Sequence, residues 1–418
     1  MSSPEDARRP VRRRWLIATT EYAGLTPYTG GIGRHYAALA PALVDLGADV
    51  DLAVFADGPP ARADLRGVRL VAYRRTDGVD RTALLHRRAR ELRRIHAAGR
   101  YDRVFLPEWS ALGSLLPRSA PLLTNLATGM RLANEVSGLR LRDLPAASRL
   151  PVAAQMAAER RQITRSAGLV AISHAMLAWT RRAYRADAPS VVVRNCIDVA
   201  GVHRAAERSP LPGGWPGGCD PILLFLGRSE RRKGVVDAFA AFARVHGRFP
   251  RARLVLAGAG GDARFEPRRA DLLDMLPPSA RDLVHWLGHV PGDELYAAIR
   301  ASDAVLCPSL WEGFGNVALE AKAIGKAVVA TSGSGFDDFC SDGVDSLLVP
   351  PGAPAALAHA VERLLDDPAT AARLAAAGRA GAGRFAPRPV ARDLIAAADE
   401  LLPSARSLRR APSPSPRA

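Results

Sequence analysis

Short apolar runs of strand length alternate with stretches of helical periodicity through the first half of the chain. The runs fall at residues 16–18, 50–55, 68–71, 104–106, 122–124, 169–172 and 191–193. Such alternation predicts a parallel sheet with crossover helices. A Gly/Pro-rich interruption at 210–218 is the best linker in the chain. The alternation then restarts at 222–226, 254–257, 283–286, 305–306 and 328–329. Alanine-rich helical patterns at 353–366 and 368–382 follow, and one more helix is expected over 387–402 beyond Phe385-Ala386-Pro387. No internal repeat of roughly 20 to 50 residues is present. The pattern predicts an α/β fold of two unlike halves, divided at 205/206 into domains 15–205 and 206–386. The length of 418 residues agrees, since one core seldom organises more than about 250 to 300. A junction between two such domains is a common place for a ligand cleft.

Composition narrows the class. Hydrophobic residues make up 48% and charged residues 24%, as in soluble globular proteins, and no apolar run approaches the roughly 18 residues of a membrane span. Arg12-Arg13-Arg14 precedes an apolar run too short for a signal peptide, so a cytoplasmic protein is expected. Cys196, Cys219, Cys307 and Cys340 lie far apart without CxxC or His pairing, which argues against zinc or a disulfide framework.

The net charge of +16 permits nucleic acid, anionic membrane or phosphorylated substrates. Part of it sits in two tails, 1–14 and 403–418, both expected to be disordered. Another part lies on the helix expected within 81–103, where Arg87, Arg88, Arg90, Arg93 and Arg94 accompany Leu84, Leu85, Ala89, Leu92 and Ile95. That helix reads as a solvated face of an arginine-rich protein or as one making peripheral contact with an anionic membrane on its inner face. Nucleic acid is disfavoured, because the basic segments lack interleaved aromatics.

The chemistry concentrates at Trp311-Glu312-Gly313-Phe314-Gly315-Asn316-Val317-Ala318-Leu319-Glu320. Two carboxylates stand on either side of a glycine turn that opens a helix, whose free N–H groups suit a phosphate. Arg228 follows a strand end at Gly227, and Lys233-Gly234 opens the next helix. A planar fork and a point charge suit a diphosphate, the alternative being a surface ion pair. Only three of the 58 basic residues are lysine, so Lys233 stands out. In the first half, Thr29-Gly30-Gly31-Ile32-Gly33-Arg34 opens a helix with backbone N–H groups that an anion can approach, or forms a plain strand-to-helix turn. Asp49-Val50-Asp51 fits a metal-binding DxD pattern, but strand alternation alone explains it. Gly258-Ala259-Gly260-Gly261 reads as a turn lining the cleft, and the backbone of Gly288-His289-Val290-Pro291 suits a nucleobase edge.

Together, Gly30-Gly31, Gly227-Arg228 with Lys233-Gly234, Leu256-Ala257-Gly258, Gly288-His289-Val290 and Glu312-Gly313-Phe314-Gly315 with Glu320-Ala321 resemble the retaining GT-B enzymes of glycosyltransferase family 4, over about residues 14–402. The resemblance implies two Rossmann-like domains facing across a cleft, an acceptor site in the first, a nucleotide-sugar donor in the second, and a last helix, 387–402, crossing back to the first domain. It implies Arg228 and Lys233 on the donor diphosphate, Glu320 on the ribose hydroxyls and Glu312 on the sugar near the reacting carbon. Gly30, Gly31, Gly258, His289, Val290 and the backbone of Phe314, Gly315 and Asn316 complete the donor site. A phosphate oxygen of the donor would take the acceptor proton, so no metal and no cofactor are expected. The chain departs from the pattern at Ala127, where a His is common, at Asp338 in place of Glu, and at Ser346 in place of Gly.

The expected function is transfer of a hexose-type sugar from a nucleotide-sugar donor to a hydroxyl acceptor: glycan, glycolipid precursor or small molecule. Two other readings are a retaining glycosidase using Glu312 and Glu320, which gives Arg228 and Lys233 no task, and a non-catalytic nucleotide-sugar or membrane-binding module.

Overall fold

The computed structural model describes residues 12–77, 81–218, 220–258, 266–290 and 292–403. The expected tails lie almost wholly outside these, as do Cys219, Pro291 and the end of the glycine run after Gly258. Seven strands of the first half, β1 (Arg14–Thr19), β2 (Asp49–Ala56), β3 (Arg69–Arg75), β4 (Arg103–Pro107), β5 (Leu122–Leu126), β6 (Gly168–Ala171) and β7 (Ser190–Val192), pair in parallel in the order β3-β2-β1-β4-β5-β6-β7. Six of the second half, β8 (Ile222–Leu226), β9 (Arg253–Ala257), β10 (Val284–Gly288), β11 (Ala304–Cys307), β12 (Ala327–Thr331) and β13 (Leu347–Val349), pair in parallel in the order β10-β9-β8-β11-β12-β13. The central strands read as unbroken apolar runs because helices cover both their faces. β4, β11 and β12, for instance, are buried at every position.

Each sheet reverses its strand order once, between β1 and β4 and between β8 and β11. Crevices at the carboxyl ends of such switch points are where open parallel sheets hold ligands. The loops that follow β1, β4, β8 and β11 therefore frame the site.

The helix Pro387–Leu401 crosses back to the first half. Val390, Ala391, Leu394, Ala397, Ala398 and Leu401 form a buried stripe at helical spacing, packed in one core with Leu39 and Leu43 of the helix Gly31–Asp45 and with Trp15 and Ile17 of β1. Arg103 Nη2 locks the helix end by donating to Asp399 Oδ1 and the Leu402 carbonyl, each at 2.9 Å. Burial of Leu394 alone contributes about 2 kcal/mol. The helix Val199–Arg208, which the expected boundary at 205/206 divides, packs on the second half, against Glu294–Ala301 and Asn316–Ile324.

A further apolar cluster spans both halves, from Leu126, Ile172 and Met176 to Phe314, Phe336, Phe339 and Phe385. The rings of Phe314 and Phe339 pack in a tilted contact with centroids 4.8 Å apart. The two sheets are thus joined by a core as well as by a linker.

Candidate active site

The two switch-point loops of the second sheet touch each other. After β8, Gly227 takes φ +140° and the chain runs through Arg228 to a turn at Arg231–Lys233. Gly234 (φ +76°) then caps the helix Val235–Arg248, and a Cβ there would lie 1.8 Å from the Pro308 carbonyl oxygen in the loop after β11. Only glycine allows that approach. The contact places Lys233 against the second loop, where its Nζ forms an ion pair with Glu312 Oε2. Ser309 Oγ donates to the same oxygen at 3.2 Å. Burial works to raise the Glu312 carboxyl, but Lys233 and Arg232 outweigh it and hold it below the usual carboxylate range. Arg228 pairs with the buried Glu230 at 3.1 Å.

The glycine turn then meets the first half. Ser173 Oγ, just beyond β6, donates to the Gly313 carbonyl at 2.6 Å, and a Cβ on Gly313 would lie 2.8 Å from the Ala127 carbonyl oxygen. Gly315 (φ +99°) caps the helix Asn316–Ile324 against the Phe336 ring. Asn316 Nδ2 donates to the Gly31 carbonyl at 3.1 Å, and its Oδ1 accepts from Asn195 Nδ2 at 3.1 Å. Phe314 turns its side chain into the core.

On the facing side, Glu21 accepts a hydrogen bond from the Gly30 amide. Burial raises the Glu21 carboxyl, with the Gly30 amide and then the charges of Arg34 and Arg228 opposing. Arg34 Nε lies 3.3 Å from Glu320 Oε1. Yet Arg34 Nε and Glu320 Oε2 are both buried without a hydrogen-bond partner, and burial raises the Glu320 carboxyl despite Arg34. An unsatisfied carboxylate oxygen of this kind is suited to accept from a ligand hydroxyl.

Family comparison gives this arrangement its kin. The description "Glycosyltransferase Family 4" matches residues 29–200, and "Glycosyl transferases group 1" matches residues 217–381. The chain belongs to glycosyltransferase family 4. Among relatives of this family-4 chain, glycogen synthase of Mycobacterium tuberculosis is 37% identical over 188 residues, 45% of this chain and 42% of that protein. Alpha-maltose-1-phosphate synthase of Mycolicibacterium smegmatis is 34% identical over 235 residues, 53% of this chain and 59% of that protein. The chain spans about half the length of the curated relatives it matches. Sucrose-phosphate synthase of Thermosynechococcus elongatus superposes with a TM-score of 0.72 at 22% identity, over 93% of this chain and 99% of that one. HepE of Anabaena, solved with UDP-glucose, does so at 0.61 and 17%, over 92% and 99%. These structural likenesses show the GT-B fold.

Of the residues expected to serve a family-4 donor site, the structure gathers Gly30, Gly31, Arg228, Lys233, Glu312, Gly315, Asn316 and Glu320 through the contacts above. Gly258 donates to the Gly288 carbonyl at 2.7 Å at the ends of β9 and β10, followed by an exposed His289 and a buried Val290. The positions that depart from the family pattern are all engaged. Ala127 is buried and its amide donates to both oxygens of Glu108, at 2.9 and 2.8 Å. Asp338 accepts from His174 Nδ1 at 2.9 Å and Arg194 Nε at 3.0 Å, both across the cleft. Ser346 donates to Asp345 at 3.0 Å. Asp51 of the Asp-Val-Asp motif is committed inside the first domain to Arg14, Arg69 and Tyr101, at 2.7–2.9 Å. Glu21, Ser173, Asn195 and the pairing of Arg34 with Glu320 were not expected. No local motif marks them: Ser173, Asn195 and Arg34 act on residues of the other domain, and Glu21 meets the Gly30 amide through the turn of the loop after β1.

Proposed function

We propose that this chain transfers a hexose-type sugar, with retention, from a nucleoside-diphosphate donor to a hydroxyl acceptor. The observation that carries this reading is the Lys233–Glu312 ion pair, which joins the loops after β8 and β11 at the switch point of the second sheet. A cation and a carboxylate stand side by side where a donor's phosphate meets its sugar. As the bond from C1 to the phosphate oxygen breaks, negative charge grows on the diphosphate and positive charge on the sugar ring. Lys233 and Arg228 stabilise the first and Glu312 the second. The acceptor oxygen bonds to C1 and its proton passes to a diphosphate oxygen, so neither a metal nor a separate base takes part. Glu320, with its unpartnered Oε2, receives the ribose hydroxyls in place of Arg34.

The glycosidase reading has less support, because Glu312 and Glu320 are each already held by a cation, Lys233 and Arg34. Peripheral contact with an anionic membrane also has less support. Ala89 and Leu92 of the helix Arg81–Ala98 are buried, and Leu92 and Ile95 pack on the core of the first sheet, which commits part of its apolar stripe to the protein interior. No helix among the described residues is long and apolar enough to cross a membrane.

The deciding experiment screens nucleotide sugars by thermal shift and then measures sugar transfer with the donor that binds. Lys233→Ala and Glu312→Gln are expected to lower kcat by about 100-fold or more, in the range of lost transition-state electrostatics, in buffer containing a metal chelator. Undiminished turnover in both variants would reject the assignment.

A further inference from the structure

A cavity of about 430 Å3 opens in the first domain, outside the site described above. Phe55, Arg75 and Thr76 place it at the carboxyl ends of β2 and β3, the edge of the sheet that holds ligands in this architecture. By strand spacing, β3 lies roughly 10 Å from β1, whose following loop leads to Gly30 and Gly31. The opposite wall is the helix Arg81–Ala98, which contributes Arg87, Arg88, Arg90 and Arg94 to the arginines of β3, Arg74 and Arg75.

The positive charge is only partly answered. Glu91 serves both Arg74, at 2.9 Å, and Arg94, at 3.5 Å, and Asp77 serves Arg75 at 2.6 Å. Asp57 lies 3.7 Å from Arg88. Arg90 contacts His86 Nε2 at 2.9 Å, and neither Arg87 nor Arg90 has an acid partner among the described residues. Arg88 is the most telling. Its side chain is 11% exposed, it donates to Thr76 Oγ1 at 2.5 Å, and its Nε is buried with no hydrogen-bond partner. Burial pulls its pKa below the usual guanidinium value, and Asp57 offsets this only in part. Burying an under-paired charge costs free energy that a bound anion recovers. Guanidinium forks match the oxygens of a phosphate in pairs. The volume falls within the roughly 300–1,000 Å3 of small-molecule sites.

We propose that this cavity seats the phosphate group of a small phosphorylated acceptor, bound by Arg87, Arg88 and Arg90. The word acceptor rests on the transfer reading above, whereas anion binding by the cavity does not. With phosphate held at the β3 edge, the rest of the acceptor extends toward the cleft between the sheets.

The test uses the full chain and calorimetric titration with inorganic phosphate. Saturable binding is expected, weakened about tenfold or more in Arg87→Ala/Arg90→Ala, whose sites are exposed and tolerant, and in Arg88→Met. Arg93→Ala, which removes the same charge from an exposed position of that helix outside the cavity, is expected to bind as the unaltered protein does. Absence of saturable binding, or an equal loss in Arg93→Ala, overturns the proposal. Capture on phosphatidylserine vesicles without any binding of soluble phosphate also overturns it, in favour of a lipid headgroup. Nucleoside diphosphates titrated separately are expected to bind equally to all variants. Their failure to bind the unaltered protein would count against the transfer reading and leave the anion site standing.

Discussion

Glu108 and Glu159 are the clearest case in which single residues of the first domain carry a measurable consequence. Both are buried and flank Gly129, where a Cβ would lie 2.9 Å from Glu159 Oε2 and 3.3 Å from Glu108 Cγ. Glu108 holds the Ala127 amide and Glu159 the Met130 amide at 2.8 Å, so the pair pins the loop that abuts Gly313. Burial pushes Glu108 up to about 7 and Glu159 up to about 8, the latter helped by the nearby Glu108 carboxylate. In the unfolded chain both ionise near 4.5. Between that pH and about 7 the folded state keeps protons that the unfolded state has lost, so stability falls as pH rises. The slope is about 1.4 kcal/mol per pH unit for each retained proton. Urea unfolding from pH 5 to 8 is expected to show this decline, and Glu159→Gln to remove roughly half of it; an unchanged slope in the variant would refute the role. Nothing near Glu108 or Glu159 in the chain announces this pairing, which joins residues brought together only by the fold. Lys233, Glu312 and Asn316 were readable because glycines and a helix start surround them locally. Arg34 lay inside a stretch read for its backbone, and only the fold sets its side chain beside Glu320.

At the scale of elements, the turn before the helix Asn316–Ile324 does the most for the site. Gly315 holds φ +99°, and a Cβ there would lie 2.2 Å from Phe336 Cε1. Phe336 is fully buried and packs edge-on against Phe339, so it cannot retreat. Gly315→Ala must therefore shift the turn, carrying Glu312 and Asn316 with it. The expected cost is about 2–3 kcal/mol, from left-handed strain plus overpacking. It should appear as a lower urea midpoint together with weakened donor binding. A variant with native midpoint and native binding would show that the turn does not position the site. That turn was legible, as were twelve of the thirteen strands, because apolar runs bounded by Gly, Pro and polar turns lie on the sequence itself. β13, three residues long, is too short to give a pattern. The segment 130–150, to which no element is assigned from the sequence, holds the helix Met130–Val136 and the start of Ala146–Arg165. The latter buries Val152, Gln155, Glu159, Gln162 and Ile163 at helical spacing. Three of those five are polar, so hydrophobic periodicity could not reveal the buried face.

At the scale of the whole molecule, the contacts across the cleft set how readily the two domains part. Ser173 to Gly313, Asn195 to Asn316, Arg34 to Glu320 and Asp338 to His174 and Arg194 all join one domain to the other. A donor entering between the sheets competes with these contacts, so their strength enters its apparent affinity. Asp338 is the one that can be removed without touching the residues assigned to donor phosphate, sugar or ribose. Its side chain is 3% exposed, while its partners His174 and Arg194 are 69% and 38% exposed. Solvent screening at the partners limits the loss in Asp338→Ala to about 1–2 kcal/mol, roughly a fivefold to thirtyfold shift toward open states. Amide exchange should therefore accelerate by about that factor in residues 173–177 and 335–340, with the exchange of β8 and β11 unchanged. A uniform acceleration across both sheets would instead mean that Asp338 supports global stability. No acceleration at all would mean that the shared cluster of Phe314, Phe339 and Phe385 holds the domains closed without it.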